Sequence, residues 1–280
     1  MQTSVEDHVI YQVANAPLRS YPFPHFYVES VFPVDFYPQL RRNWPSAAQL
    51  VSLESTGRVP KGAYPERFIM PLKKQQIAEL PSDKRAFWSE LSAWMLGSTR
   101  FFFTVMDKFE PQLRARFGPA FDRTTFSHEV LVVRDHSNYS LGPHTDSPRK
   151  AISVLFYCPD DETYAHLGTS IYMPVDPAFR CAGGPHHPFD AFRKVATMAF
   201  KPNALFAFVK TDNSFHGVDP IRDADVLRDL ILYDIQVKVA PELEDVPAGA
   251  TPAETPAAKA APARFGLGAR MLKNILRRGR

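Results

Sequence analysis

The fold is decided by residues 128–158, which read HEVLVVRDHSNYSLGPHTDSPRKAISVLFYC. Two runs of β-branched, aliphatic and aromatic residues flank a segment rich in Asn, Ser, Gly and Pro, and this pattern predicts two strands and a turn. Similar short runs continue to residue 239, as TSIYMP, VATMAF, ALFAFV and RDLILYDIQVKV. Several short strands separated by turns are typical of a sandwich or barrel, so we expect a β core over residues 124–239.

The chain before this core has a helical character. Over residues 33–118 the longer periodic stretches look helical, above all between Lys84 and Phe117, where apolar residues recur mostly at three- and four-residue steps. We expect this half to supply helices that pack on the β core. The fold class is therefore mainly β with supporting helices (α+β), in a domain over residues 19–239 that follows an N-terminal arm at residues 1–18.

Composition excludes several classes of protein. The 280 residues include 33 Lys or Arg and 30 Asp or Glu, and the net charge of +3 is too small for a general nucleic-acid binder. Two cysteines, Cys158 and Cys181, without a C-x-x-C spacing argue against a disulfide framework and a thiolate zinc site. The first twenty residues lack the pattern of a secretory signal, and no run of about 18 apolar residues occurs. We therefore expect a cytoplasmic protein.

The C-terminal tail differs from the rest of the chain. Residues 240–263 contain nine Ala and five Pro and no aromatic residue, so we expect a disordered linker. Residues 264–280 carry six Lys or Arg and an apolar stripe at helical spacing, which predicts a short basic amphipathic helix. Weak docking to an anionic membrane surface or to a protein, and a frayed solvated tail, are the two alternatives for this segment.

A candidate metal site begins in the turn after the first of these strands. In an extended segment, His144 and Asp146 point to the same side and can reach one ion, although a His-x-Asp triplet alone is weak evidence. His216 follows 72 residues later at the end of another β-rich run. Two imidazoles and one carboxylate form the facial set that leaves open positions on ferrous iron, and zinc accepts the same ligands.

An anion anchor would distinguish iron from zinc. A dicarboxylate co-substrate of an iron enzyme needs a fixed cation at its far end, and the guanidinium of Arg offers a planar bidentate fork. Arg228 opens the strand RDLILYDI twelve residues after His216, and Arg222 lies in the preceding loop. Arg228 has the better strand context, and Arg222 stays open as the alternative.

Taken together, these residues resemble the iron(II)- and 2-oxoglutarate-dependent dioxygenases, most closely the prolyl-hydroxylase-like branch. The resemblance covers roughly residues 20–239, because HFYVESVFPVDFYPQLRRNWP is also similar to the N-terminal helical segment of such proteins. It implies a double-stranded β-helix (a jelly-roll or cupin-like core), with Fe(II) held by His144, Asp146 and His216. It also implies that Arg228 pairs with the distal carboxylate of 2-oxoglutarate and that Tyr139 adds a hydrogen bond to the same co-substrate.

The implied activity is hydroxylation of an unactivated C–H bond, with release of succinate and CO2 and with ascorbate as a supporting reductant. An Asp at the carboxylate position favours hydroxylation over halogenation. Arg228 comes twelve residues after the second His, whereas nine or ten is usual in many relatives, and the Arg-x-Ser pattern of some relatives is absent. A small molecule, a saccharide or a peptide remains open as substrate. The alternatives are a catalytically silent binding or scaffold protein and a zinc-dependent hydrolase on a similar barrel.

Further residues near these motifs have weaker interpretations. His186 and His187 are adjacent in a Gly/Pro-rich loop, so we expect them to point in different directions and to be solvated. The loop itself is long enough to shape substrate access. Arg149 and Lys150 could meet an anionic substrate or form a charged rim. An apolar lining is expected from four residues, namely Phe156, Phe206, Phe208 and Phe215.

Overall fold

The computed structural model describes residues 4–239. Its helices are α1 (Val5–Asn15), α2 (Phe36–Arg42), α3 (Lys74–Ala78), α4 (Ser82–Gly97), α5 (Arg100–Lys108) and α6 (Glu110–Phe117). Its strands are β1 (His25–Glu29), β2 (Val51–Ser52), β3 (Arg67–Pro71), β4 (Thr125–His136), β5 (Leu141–His144), β6 (Lys150–Tyr157), β7 (Thr169–Pro174), β8 (Phe192–Met198), β9 (Ala204–Val209), β10 (His216–Val218) and β11 (Leu227–Val239). The predicted linker at 240–263 and basic helix at 264–280 lie outside the described residues.

The strands form two antiparallel sheets. The larger sheet has the order β1-β9-β6-β11-β4-β3-β2, and the smaller sheet has the order β5-β10-β7-β8. From β4 onward the chain crosses back and forth, so that β4, β6, β9 and β11 lie in the larger sheet and β5, β7, β8 and β10 in the smaller one. This alternation is a double-stranded β-helix, and it confirms the predicted jelly-roll core with supporting helices.

The central ladder between β4 and β11 has two different faces. Side chains of a strand alternate between the two sides of a sheet, so one set of residues faces the helices and the other faces the smaller sheet. Val132 and Ile231 belong to the helix-facing core, whereas Val133 and Leu230 belong to the core between the sheets. Both faces are buried, which explains why these strands read as nearly continuous apolar runs.

The helices cover the outer face of the larger sheet. The predicted helical stretch between Lys84 and Phe117 is divided into α4, α5 and α6, and its fully buried Trp88 and Phe101 belong to the helix-facing core. In the segment expected to be an N-terminal arm, α1 buries Val9 and Val13 in the same core. Within residues 4–239, no helix has the length and apolar character needed to cross a membrane.

The four phenylalanines expected around the site lie in three different places. Phe206 and Phe208 face the space between the sheets, as expected. Phe156 instead faces the helices, with its ring centroid 5.3 Å from that of Phe32, because it lies one residue out of phase with the inward-facing positions of β6. Phe215 packs with Tyr172 in a separate aromatic cluster, so the expectation was wrong for Phe156 and Phe215.

The position of Phe156 predicts a stability effect without an effect on metal binding. Phe156→Ala should lower the free energy of unfolding by about 3–5 kcal/mol, because it leaves a cavity between the sheet and the helices. Urea denaturation measures this loss, and Co(II) titration of the folded variant should give the wild-type affinity. Phe103→Ala is the control, since Phe103 is 55% exposed and its loss should cost little. A weaker Co(II) affinity in Phe156→Ala would place this ring at the site after all.

Candidate functional site

Two strands of the smaller sheet bring the predicted histidines together. His144 ends β5 and His216 begins β10, and the antiparallel register pairs these two residues directly. Directly opposed residues share a face of the sheet, with Cβ atoms about 5 Å apart. The ring centroids of His144 and His216 are accordingly 4.4 Å apart. Strand pairing therefore brings together two residues that lie 72 positions apart in the sequence.

Asp146 completes a buried cluster with these histidines. Each of the three residues offers one ligand atom, and these atoms lie within 4.8 Å of one another. The Asp146 Oδ1 atom is 4.0 Å from Nε2 of His216, and Oδ2 accepts a hydrogen bond of 2.8 Å from the Ser153 hydroxyl. The three residues are between 6% and 8% exposed. Two imidazoles and one carboxylate at this spacing can hold a single divalent cation such as Fe(II) or Zn(II).

The backbone sets the orientation of both imidazoles. Nδ1 of His144 lies 2.9 Å from the carbonyl oxygen of Gly142, and Nδ1 of His216 lies 3.0 Å from that of Ser214. A carbonyl oxygen can only accept, so each Nδ1 carries the proton and donates it. Each Nε2 then keeps its lone pair for a metal ion, which is the outer hydrogen bonding expected of metal-binding histidines.

The charge states at neutral pH also suit a cation. Burial lowers the pKa of His144 and of His216, so both rings are neutral. Burial opposes the ionisation of Asp146, but the charge of Lys150, the two histidines and the Ser153 hydrogen bond outweigh it, and the pKa of Asp146 is lowered. The donor set is thus two neutral nitrogens and one carboxylate, without a proton to displace.

Lys150 has a different role from the expected contact with an anionic substrate. Its Nζ atom lies 3.3 Å from Asp146 and 3.1 Å from the buried carboxylate of Asp234. Burial raises the pKa of Asp234, although Lys150 opposes this effect. One Asp234 oxygen has no hydrogen-bond partner among the described residues. Lys150 therefore separates two carboxylates that would otherwise repel each other in a buried region.

The loop over residues 175–191 forms the rim of the site. His186 and His187 point in different directions, as predicted: His187 packs against Phe179, whereas the His186 ring centroid is 4.6 Å from that of His144. His186 is exposed, and either of its ring nitrogens lies 3.1 Å from the Tyr64 hydroxyl. Sequence reasoning treated this loop as solvated and missed the contacts of His186 with a metal-ligand candidate and with Tyr64.

Glycines allow this loop to lie directly on the ligand strand. A Cβ atom at Gly142 would come within 2.8 Å of the His187 carbonyl oxygen, and one at Gly183 within 2.3 Å of the Asp146 carbonyl oxygen. Thr145 adds a hydrogen bond of 2.8 Å to the Cys181 carbonyl oxygen. The rim is therefore fixed against the candidate metal centre by backbone contacts that a side chain would block.

The predicted anion-binding residues differ in their placement, and Arg228 lies between the sheets. Arg228 is 1% exposed and donates to Asp135, to the Leu167 carbonyl oxygen and, at 3.4 Å, to the Thr169 hydroxyl. Arg222, the alternative anchor, is exposed in the loop before β11. Tyr139 is fully buried, and its hydroxyl has no hydrogen-bond partner among the described residues.

Several polar residues of this region were missed from the sequence. Ser153 and Asp234 are paired on β6 and β11, and both lie inside apolar runs that read simply as strands. Asp135 lies at the end of such a run, and Arg67 comes from the half of the chain interpreted as supporting helices. A polar residue at a strand position that faces the space between the sheets would have indicated them. The sequence, however, does not show which strand positions face that space.

Removal of a ligand should greatly weaken metal binding without unfolding the protein. His216→Ala removes one donor, and Asp146→Asn replaces the carboxylate by a weaker, neutral amide oxygen. We expect each to lower Co(II) affinity by about 100-fold or more, because losing even an outer hydrogen-bond partner of a ligand costs 10- to 100-fold. The Co(II) absorption bands measure the affinity, and circular dichroism checks the fold. His166→Ala is the matched control, because this exposed histidine pairs with Asp223. Wild-type Co(II) binding by both ligand variants would exclude this site.

Lys150→Met should destabilise the metal-free protein more than the metal-bound protein. Without the ammonium group, two buried carboxylates lose their shared counter-charge, at a cost of about 2–4 kcal/mol, since the Lys150 side chain is 28% exposed. A bound divalent cation supplies positive charge at Asp146 and should recover part of this loss. Urea denaturation with EDTA and with Co(II) measures the difference.

Lys201→Met provides the comparison, because Lys201 is similarly exposed and pairs with Glu29 and Glu162. Its effect should be the same with and without metal. Equal costs for Lys150→Met in both states would contradict the electrostatic role.

Comparisons with known proteins give a consistent but distant picture. No protein-family model matches the sequence, and no curated protein matches it. A prolyl-4-hydroxylase from Pseudomonas putida is similar, with 12% identity, a TM-score of 0.42 and coverage of 82% of this chain and 97% of the other. A Trichoplax adhaerens prolyl hydroxylase in complex with a hypoxia inducible factor peptide fragment has 11% identity, a TM-score of 0.40 and coverage of 82% and 88%.

A third solved structure is HygX from Streptomyces hygroscopicus with nickel, 2-oxoglutarate and hygromycin B bound. It has 9% identity and a TM-score of 0.39, with coverage of 76% of this chain and 83% of the other. At these identities and TM-scores the similarities carry no argument on activity. The interpretation of the site therefore rests on the strand order and on the geometry described above.

Proposed function

We propose that this protein is an Fe(II)- and 2-oxoglutarate-dependent dioxygenase that hydroxylates an unactivated C–H bond. The observation that carries the proposal is the buried His144, Asp146 and His216 cluster in a double-stranded β-helix that also buries an arginine, Arg228, between its sheets. A metal-ligand set explains the first feature, and an anionic co-substrate explains the second.

The three ligand residues would hold Fe(II) through two Nε2 atoms and one carboxylate oxygen. With three protein donors, Fe(II) could also accept a bidentate co-substrate and oxygen. When bound, Fe(II) with 2-oxoglutarate and O2 would supply the oxidising power for C–H hydroxylation, with one oxygen atom going to succinate, the other to the substrate, and CO2 released. The protein contributes the orientation of the donors, which the Gly142 and Ser214 carbonyl groups fix for the two histidines and the Ser153 hydroxyl for Asp146.

Arg228 would bind the distal carboxylate of 2-oxoglutarate. Its guanidinium contacts Thr169 on β7, and Ile171, two residues further along β7, pairs with His216. Two residues of a strand span about 7 Å, a distance that a five-carbon dicarboxylate with one end at the metal can cover. Tyr157 lies beside Arg228, with the Arg228 Cζ atom 5.8 Å from its ring centroid. Tyr139 is proposed to add a hydrogen bond to the co-substrate.

Apolar side chains would limit the access of water to the reacting centre. The Phe208 ring centroid is 4.3 Å from that of His216, and Phe206 packs against Phe208 on the same face of β9. A water-poor surrounding protects a reactive oxidant from side reactions and strengthens the electrostatic interactions of the bound co-substrate. His186 and Tyr64 supply polar groups only at the rim, where substrate would approach.

For the substrate we propose one of three classes: a small molecule, a saccharide or a peptide. Ascorbate as a supporting reductant, a cytoplasmic location and weak docking through residues 264–280 are retained as predictions. The presence of all three ligand residues speaks against a silent scaffold protein. A zinc-dependent hydrolase on the same barrel would need no anion anchor, and Arg228 would then serve only as the partner of Asp135.

Anaerobic titration of the metal-free protein with Fe(II) and 2-oxoglutarate tests the proposal. We expect a visible metal-to-ligand charge-transfer band in the wild type and none in His216→Ala. Arg228→Ala should weaken 2-oxoglutarate about 10- to 150-fold, which corresponds to about 1.5–3 kcal/mol for a charge-assisted hydrogen bond. Arg222→Ala is the matched control and should bind like the wild type.

The result that would end the proposal is a folded wild-type protein that shows no band. Tight Zn(II) binding with hydrolytic turnover would then favour the hydrolase, and the lack of any metal binding would favour the scaffold protein. A band that is weakened by Arg222→Ala and unaffected by Arg228→Ala would move the anchor to Arg222.

A further inference from the structure

Two clusters of Arg and Asp lie on opposite faces of the β4–β11 ladder. The register pairs Arg228 with Asp135 and Asp229 with Arg134, so each cross-strand pair joins opposite charges. Because side chains alternate along a strand, the first pair faces the smaller sheet and the second faces the helices. On each face a further arginine contacts the aspartate of the pair, so that two arginines share one carboxylate.

The outer cluster, on the helix-facing side, consists of Arg41, Arg134, Asp160 and Asp229. Arg134 donates to both oxygens of Asp229 at 2.7 and 2.8 Å, and Arg41 donates to one of them at 3.1 Å. Arg41 also binds Asp160 through two hydrogen bonds of 2.8 and 3.0 Å. With two arginines and two carboxylates, the outer cluster is neutral.

The inner cluster, between the sheets, consists of Arg67, Asp135 and Arg228. Arg67 donates to both oxygens of Asp135 at 2.6 and 2.9 Å, and Arg228 donates to one of them at 2.7 Å. The side chains are 16%, 0% and 1% exposed, respectively. Among residues 4–239, the ion pairs of both arginines are with Asp135, so the inner cluster carries a net charge of +1.

A buried net charge is costly unless an opposite charge accompanies it. In the outer cluster the surface carboxylate of Asp160 provides that charge, whereas no fourth charged residue joins the inner cluster among residues 4–239. Tyr139 lies at the same place: the Arg67 Cζ atom is 4.4 Å from its ring centroid, and its buried hydroxyl lacks a partner among the described residues. A carboxylate ligand would complement both features. It would neutralise the excess positive charge and accept a hydrogen bond from the buried Tyr139 hydroxyl.

We propose that Arg67 and Arg228 together bind the distal carboxylate of 2-oxoglutarate, with Asp135 fixing both guanidinium groups and Tyr139 donating a hydrogen bond; this inference rests on the proposed function. The ligand carboxylate takes the place in the inner cluster that Asp160 takes in the outer one. Arg67 lies on β3, outside the eight strands of the β-helix. A search of the sequence for an arginine at a fixed spacing after His216 therefore cannot find it.

The experiment compares two ligands with the same keto-acid end. 2-Oxoglutarate carries the distal carboxylate, whereas 2-oxovalerate has the same five carbons and ends in a methyl group. Their dissociation constants are measured anaerobically from the Fe(II) charge-transfer band in the wild type, Arg67→Met, Arg67→Lys and Arg134→Met. Arg134→Met is the matched control, because it also removes one of two arginines from a shared carboxylate of the same ladder, on the other face.

Arg67→Met should weaken 2-oxoglutarate at least 10-fold and change 2-oxovalerate less than twofold. Arg67→Lys keeps the charge without the fork and should give an intermediate loss, which also covers the case that Arg67→Met does not fold. Arg134→Met should lower thermal stability but leave the ratio of the two dissociation constants unchanged. This pattern would assign Arg67 to ligand binding.

An equal loss for both ligands in the Arg67 variants would show a structural role and overturn the inference. Wild-type affinity for both ligands in both Arg67 variants would overturn it as well, while the proposed function would stand. No band in the wild type would overturn the proposed function and this inference together, so the two failures are distinguishable.

Discussion

The register of the central β4–β11 ladder is the constraint on which the rest of the structure depends. It decides which side chains of the two longest strands enter the space between the sheets and which meet the helices. A shift of one residue would exchange the two sets, moving Arg228 and Asp135 into the helix-facing core and Val132 and Ile231 away from it. The apolar pattern alone permits either choice, because both faces are buried. The cross-strand Arg–Asp pairs stabilise the observed register from both sides.

Charge compensation gives the interior two regions of different character. Near the candidate metal centre, the acidic groups of Asp146 and Asp234 share one cation, Lys150. Between the sheets, the inner cluster has one more positive than negative charge. The first region is suited to a cation and the second to an anion. A ligand pair consisting of a metal ion and a dicarboxylate would neutralise both.

Much of the fold could be predicted from the sequence, because strands and helices have different hydrophobic periods. The β core after residue 124 and the helices before it were predicted from these periods, and His144, Asp146 and His216 were found because they stand out in turns or at strand ends. The face of the sheet on which Phe156 lies was predicted wrongly. Both faces of its strand are buried, so an apolar residue there does not show in the sequence which face its side chain occupies. Arg67 and Asp135 were missed because their proximity depends on a pairing between β3 and β4 that no local pattern encodes.

The contact between the rim loop and the ligand strand is made largely by backbone atoms, at Gly142 and Gly183. Contacts of this kind depend on the course of the chain and not on the identity of the neighbouring side chains. Apart from His186, whose ring lies beside His144, the outward-facing residues of the loop can therefore be exchanged without disturbing the donors below them. In evolutionary terms, the loop is a replaceable surface on a fixed support, because its outward-facing side chains can vary while the strand beneath it keeps its course.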